Sequence, residues 1–242
     1  MLKKFIQKNR IFSLFKPLLA EDHSGCVNAA YYPKNISGLK NGKRNILDLG
    51  CGAGNSIDLF KNINPDIQWY GTDIEDSPEA QLRTRSDGDF KTYDGINLPY
   101  DDNFFDLVYS SQVFEHVRHP DELLKDVFRV LKPGGYFTGS VSYLEPYHSF
   151  SIYNFTPYGL MISLDDAGFK TEEMRPGING PALIFRQMLN APQKLEPFFN
   201  RLSLFNLAVN VSGFIFGLSH QEKNFLKLQF AGHICFLATK PA

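Results

Sequence analysis

Ile46-Leu47-Asp48-Leu49-Gly50-Cys51-Gly52-Ala53-Gly54 is the stretch on which the reading of the fold turns. Its first four residues, apolar except for Asp48, read as a buried strand that runs directly into three glycines at alternate positions. Residues 55–62 then read as a helix. A strand, a glycine turn and a helix in that order let a ligand come close to the backbone, because glycine has no Cβ in the way. The helix N-terminus also offers N–H groups to a negative group. The spacing is GxGxG, whereas a dinucleotide fingerprint needs GxGxxG, so a nicotinamide oxidoreductase is disfavoured. Asp48 points the same way: it would repel a pyrophosphate and attract a cationic amino-acid ligand.

Outward from this turn, short β-rich runs alternate with helical stretches, the rhythm of a parallel sheet. Strands are expected over 45–49, 67–72, 90–93, 105–110, 136–142, 169–174 and 229–239. Ser77-Pro78 and Thr156-Pro157 each place a capping hydroxyl before a proline, the residue best tolerated where the first helical N–H has no partner. A helix over 121–131 is closed by Lys132-Pro133-Gly134-Gly135, read as a stop and tight turn. The expected fold class is α/β: a Rossmann-like, seven-stranded, mostly parallel sheet with helices on both faces, plus an N-terminal helix and a helical insertion before the last strand. Residues 1–43 read as an N-terminal helical lid or cap and 44–176 as the ligand-binding core. Residues 177–228 read as an insertion serving as substrate lid, dimer surface or membrane surface, and 229–242 as the last strand of the core sheet.

Lys and Arg number 25 against 26 Asp and Glu, a formal charge of -1, so no global field gathers nucleic acid and no nucleic-acid partner is expected. Cys26, Cys51 and Cys235 are odd in number and lack metal or redox spacing, which suits a reducing, cytoplasmic setting and no metal. Residues 1–20 carry Lys3, Lys4, Lys8, Arg10 and Lys16 with no acidic residue, interleaved with apolar side chains. The charges interrupt any apolar run of signal-peptide length, leaving a basic amphipathic helix that docks over the site or makes peripheral contact with the inner face of a membrane. The apolar stretch 198–218 nearly reaches spanning length but includes Asn200, Arg201, Asn206 and Asn210, whose burial in lipid is costly. A lid, a homodimer surface or an interfacial helix fits it better.

Two more aspartates sit at expected strand ends. Asp73 follows the second strand, where a carboxylate can accept hydrogen bonds from both hydroxyls of a ribose. Asp94-Gly95 follows the third, where a carboxylate can accept from an adenine amino group. Each alone reads as a cap or turn former. Together, in order and at the carboxyl edge of an open sheet, they read as an adenosine site.

With these residues in view, the chain over about 44–175 resembles the class I S-adenosylmethionine (SAM) dependent methyltransferases, in the broad subgroup that includes ubiquinone and menaquinone biosynthetic methyltransferases. The resemblance rests on Leu47 to Gly54, Asp73, the stretch around Leu98-Pro99-Tyr100, Phe105-Asp106-Leu107-Val108, Phe114-Glu115-His116-Val117 and Leu131-Lys132-Pro133-Gly134-Gly135. It implies SAM as cofactor, with Asp48, Gly50, Cys51, Gly52 and Gly54 around its methionine end and Asp73 on the ribose. It also implies Ile74, Asp94 and Gly95 at the adenine, and Ser111 and Gln112 beside the methionine moiety.

Two histidines are candidate bases, since imidazole accepts a proton near neutral pH. In the resembled subgroup the Glu115-His116 pair recurs beside the cofactor without acting as a base. His148 is the preferred candidate. It lies with Glu145, Tyr147, Asn154 and Thr156 in the segment after strand five, where an acceptor must approach; its alternative role is to pack that loop. The expected activity is methyl transfer to a small-molecule acceptor, an oxygen of a glycan precursor or related metabolite. A quinone or lipid acceptor at a membrane surface is the alternative, and a non-catalytic SAM-binding partner subunit is the reading from another class.

Overall fold

The computed structural model describes residues 2–147, 149–190, 199 and 203–242. Seven strands, β1 (Arg44–Leu49), β2 (Ile67–Ile74), β3 (Asp89–Tyr93), β4 (Phe105–Ser111), β5 (Leu131–Ser142), β6 (Lys170–Pro176) and β7 (His233–Thr239), form a sheet of order β3-β2-β1-β4-β5-β7-β6. The pairs among β1 to β5 are parallel, and β7 runs antiparallel between β5 and β6. This is the expected Rossmann-like architecture, with the order reversing beside β1, where open α/β sheets bind ligands.

Two expected boundaries move. The fifth strand begins at Leu131, because Leu131 already pairs with Phe105; the pairing then skips so that Tyr136 meets Leu107. Lys132 to Gly135 is therefore a bulge inside the strand, with Gly134 at φ 72°, and not a turn that separates helix from strand. The last strand begins at His233 and not at 229, since Gln229 ends a helix. That helix starts from a full capping box between Ser219 and Glu222, which extends helical structure further than the apolar pattern suggested.

Helices cover both faces: α1 (Leu2–Gln7), α2 (Arg10–Phe15), α3 (Tyr31–Asn35), α4 (Ser56–Ile63), α5 (Pro78–Gln81), α6 (Pro120–Val130), α7 (Pro157–Asp166), α8 (Gly180–Met188), α9 (Leu204–Ile215) and α10 (His220–Gln229). Ser77 and Thr156 cap α5 and α7 as their sequences predict, each accepting a backbone N–H from the first turn. Alternation along the buried strands divides the core. Ile46, Leu107 and Tyr109 pack with Phe60 on one face, and Leu47, Leu49, Val108 and Phe137 with Leu123 and Val127 on the other.

The N-terminal cap is built into that second cluster. Ile6, Phe12, Phe15 and Leu19 are buried in it, and the Phe12 ring meets Phe225 of α10 edge-on at 5.2 Å. Leu19 bridges to Met174, and Arg175, only 3% exposed, binds both Asp22 and Glu173. The segment after α2 thus covers the open edge of β6, which would otherwise present unpaired backbone groups. Phe15→Ala is expected to destabilise the whole domain by about 3–5 kcal/mol in urea unfolding, the usual cost of emptying a buried Phe site. A loss below about 1 kcal/mol would mean that this segment is not part of the core.

Candidate active site

The glycine turn is fastened to the end of β2. The Thr72 carbonyl accepts the N–H groups of Gly50 (2.8 Å) and Cys51 (3.1 Å), and Asp73 Oδ2 accepts that of Gly52 (2.7 Å). Gly54 N–H returns to the Cys51 carbonyl at 2.8 Å. All three glycines have positive φ, at 72°, 48° and 80°. A Cβ on Gly50 would lie 2.3 Å from Val113, and one on Gly52 2.9 Å from Glu79. Only glycine fits, on backbone conformation and space alike. Within the turn itself these four amides are engaged by the protein.

What the turn offers is negative. Asp48 is 5% exposed, and burial pushes its carboxyl up to about 7 against the hydrogen bond donated by Ser56, with the nearby Asp73 charge adding to the rise. Ser56 Oγ itself accepts the Trp69 indole N–H at 2.9 Å, so the hydroxyl proton is directed at Asp48. A buried carboxylate with a hydroxyl for support and no cation fits a ligand that brings positive charge. The Cys51 thiol is buried beside it and pushed up to about 12, mainly by desolvation, so it is unreactive.

Asp73 uses one lone pair of each oxygen on backbone, Oδ1 on its neighbour Ile74 N–H (2.9 Å) and Oδ2 on Gly52, and each oxygen keeps a second for a hydroxyl. Ile74 is 42% exposed beside it, a free apolar surface for a ring. Asp94 is exposed and folded into a turn, accepting from Ile96, Asn97 and the Asn97 amide, which holds its carboxyl down at about 2. Gly95 follows at φ 92°. Ser111 and Gln112 end β4 as expected, with Gln112 at φ 58°. The chemistry of this donor set fits SAM: carboxylate for cation, carboxylate for diol, apolar surface for adenine.

Beyond Gln112 the structure brings together a polar cluster. Gln112 Nε2 donates to Ser140 Oγ (2.9 Å), while Ser142 Oγ lies 3.0 Å from Gln112 Oε1, 2.9 Å from Glu115 Oε1 and in hydrogen-bond contact with Glu145 Oε2. Glu145 Oε2 also meets His233 Nε2 at 3.0 Å. The Ser142 hydroxyl hydrogen serves one of these acceptors at a time. Glu115 is fully buried, burial raises its carboxyl above the usual range, and its Oε2 has no hydrogen-bond partner among the described residues. The loop after β5 closes over it, with Ile152 and Tyr153 N–H groups on the Glu115 carbonyl.

His116 lies in the single turn that follows β4, half-buried beside Glu115. His148 lies outside the described residues. His233 was missed by the sequence reading, because nothing near it in sequence marks it; it reaches the cluster only because β7 pairs antiparallel with β5 and sets it opposite Ser142. Two cavities, about 400 Å3 lined by Leu98 to Asp101 and Phe104, and about 230 Å3 around Arg44 and Pro133, lie at the amino edge of the sheet. Ligands of such sheets bind at the opposite edge, so neither is taken as the active site.

Residues 47–138 match the methyltransferase domain family. The chain is 31% identical over 125 residues to the phthiotriol/phenolphthiotriol dimycocerosates methyltransferase of Mycobacterium tuberculosis, covering 50% of this chain and 46% of that protein. It is 34% identical over 108 residues to the ubiquinone/menaquinone biosynthesis C-methyltransferase of Pseudomonas putida, covering 41% and 42%. The chain thus spans about half the length of the curated relatives it matches. Among solved structures it is similar to phosphoethanolamine N-methyltransferase 2 of Haemonchus contortus bound to SAM, with a TM-score of 0.55, 17% identity, and 100% of this chain covered against 60% of that one. These matches give residues 47–138 as a SAM-dependent methyltransferase domain, and the solved structure shares its fold. SAM is its cofactor.

The raised Asp48 carboxyl makes two predictions. Between its ordinary value of 3.8 and about 7 the folded protein holds a proton that the unfolded chain has lost, so this group costs stability as pH rises through that window. Asp48→Asn should therefore gain melting temperature over the natural protein as pH moves from about 5 to about 8. Over the same range, calorimetry should show SAM binding strengthening with pH in the natural protein only. A pH-independent difference in both would remove Asp48 from the cofactor site. Asp73→Ala should weaken SAM binding by about one to two orders of magnitude, since charge-assisted bonds to a diol contribute roughly 1.5–3 kcal/mol each. An unchanged affinity would place the ribose elsewhere.

Proposed function

We propose that the protein transfers the methyl group of SAM to an oxygen of a small-molecule acceptor, a glycan precursor or related metabolite, with His233 as the group that takes the acceptor's proton. The observation that carries this reading is the His233–Glu145 pair, tied through Ser142 to Gln112 at the carboxyl edge of the sheet. Bound SAM supplies an activated methyl on a sulfonium. An acceptor hydroxyl that takes this methyl has to give up its proton, and a base of this chain must receive it. Carboxylate Glu145, 7% exposed, orients the His233 ring, whose side chain is 22% exposed. His233 takes the role that the sequence assigned to His148, and His116 is the other described histidine beside this cluster.

Hydroxyl-rich acceptors suit the surroundings. Carboxyl, amide and hydroxyl groups cluster beside Tyr153, whose N–H lies on the Glu115 carbonyl and whose ring is 42% exposed, a pairing of hydrogen bonds with an aromatic face that suits sugars. A quinone or lipid acceptor is the second reading, favoured by one observation: of the large exposed apolar residues, only Ile74 and Leu82 lie between residues 21 and 143. The rest lie in the N-terminal segment and from Leu144 onward. A non-catalytic SAM-binding subunit is not favoured, because a proton-handling cluster beside the cofactor site has no use in such a protein. A reducing, cytoplasmic setting agrees with the three free cysteines.

Incubation with methyl-labelled SAM and fractionated pools of nucleotide sugars, glycolipids and quinones tests the reading directly. Label should move to a hydroxyl-bearing acceptor, and S-adenosylhomocysteine should be released. With that acceptor, His233→Ala should lower turnover by about a hundredfold to ten-thousandfold at nearly constant SAM affinity. A loss under about tenfold, or 1.36 kcal/mol of barrier, is too small for a base. Larger losses at His116 or His148 would move the role there, and no release of S-adenosylhomocysteine from any pool would favour the regulatory subunit.

A further inference from the structure

Helix α9 leaves its most apolar face outward. Its side toward the protein carries Val209, Asn206, buried with its amide on Cys26 Sγ, and Gly213, which packs under Lys223. Asn210 reaches Lys227 Nζ at 2.8 Å. The opposite face, one turn after another, is Leu204, Leu207, Val211, Phe214 and Ile215, exposed by 75%, 57%, 50%, 88% and 68%. A helix that meets water carries its polar side chains outward. Here the inward polarity has a cause: Lys227 is 2% exposed, burial lowers its affinity for a proton, and it needs the oxygens of Asn210 and Ser24. Among the described residues the outward apolar face has no such cause.

The end of this face is cationic. Lys3 Nζ donates to the carbonyl of Gly217, two residues past the helix, at 2.8 Å, which seats α1 beside the last turn of α9. Lys4, Lys8 and Arg10 are exposed alongside, the first 20 residues contain no acid, and Phe5 is 71% exposed among them. An apolar stripe flanked by cations matches the surface of a bilayer with anionic headgroups: acyl chains for the stripe, phosphates for the lysines. A second copy of the chain fits less well. An isologous contact through this stripe would bring two basic helices together, and the stripe has no side-chain hydrogen-bonding group to offer a partner.

We propose that the face formed by α9 and α1 docks on anionic membrane surfaces, with Phe214 and its neighbours entering the headgroup boundary. Docking orients the domain at the lipid surface whatever its acceptor is, and does not rest on the O-methylation reading. No helix of the described residues is long and apolar enough to cross a membrane, so the contact is peripheral.

Flotation of the full chain with vesicles of phosphatidylglycerol and phosphatidylcholine, against phosphatidylcholine alone, tests the proposal. Binding to the anionic vesicles is expected, weakening with salt. Phe214→Asp should reduce it at least tenfold, and Lys4→Glu with Lys8→Glu by roughly tenfold or more, from about fivefold per cation. Both sets lie on exposed positions, so melting temperature and S-adenosylhomocysteine binding by calorimetry should be unchanged. Absence of binding by protein that still binds S-adenosylhomocysteine overturns the proposal and leaves the methyltransferase reading intact. Equal binding by the Phe214 variant also overturns it, as does a dimer in light scattering that Phe214→Asp dissolves without any vesicle binding.

Discussion

The carbonyl of Thr72 and the carboxylate of Asp73 hold the N–H groups of Gly50, Cys51 and Gly52, three consecutive donors on two consecutive acceptor residues. This short ladder continues the β1–β2 pairing past the point where β1 ends, and it can do so only because the turn adopts left-handed backbone where side chains would clash. Asp48 is thereby held buried at the strand end, and α4 is launched with Ser56 aimed back at it. Asp73 cannot leave this position without releasing Gly52, so the residue suited to the ribose also holds the turn suited to the methionine. Cofactor binding and local stability are coupled through one carboxylate.

Buried charge on the carboxyl side of the sheet is managed in two ways. Asp48 is left without a cationic partner, a cost that a positively charged ligand relieves. Glu115 is instead sealed beside Ser142, where burial raises its carboxyl above the usual range, and Glu145 faces His233. The two acids differ because their surroundings differ: Glu115 is sealed under the loop returning through Ile152 and Tyr153, whereas Glu145 borders the partly exposed imidazole.

The flanking segments are structural before they are anything else. The N-terminal arm supplies core side chains and closes the β6 edge, and Lys227 ties its Ser24 carbonyl to α9 through Asn210. That buried ammonium holds the Asn210 amide oxygen toward α10, while Asn206 turns inward to Cys26.

Much of the fold was legible in sequence because its signals are local. The apolar run ending in GxGxG, the Ser77-Pro78 and Thr156-Pro157 caps and the alternation of strands with helices each depend on neighbours within a few residues, and their elements formed where expected. Asp48, Asp73, Asp94 and Gln112 were legible for the same reason, as residues at strand ends. The amino acids alone therefore determined the class of sheet and the place of these side chains at its strand ends. Only the tertiary structure decided the rest. The bulge at Lys132 to Gly135 depends on how β5 meets β4, the His233–Glu145 pair on an antiparallel strand arriving from ninety residues away, and the direction of Asn210 in α9 on a lysine in the next helix. These are contacts between segments distant in sequence, and no local propensity encodes which partner a side chain will meet.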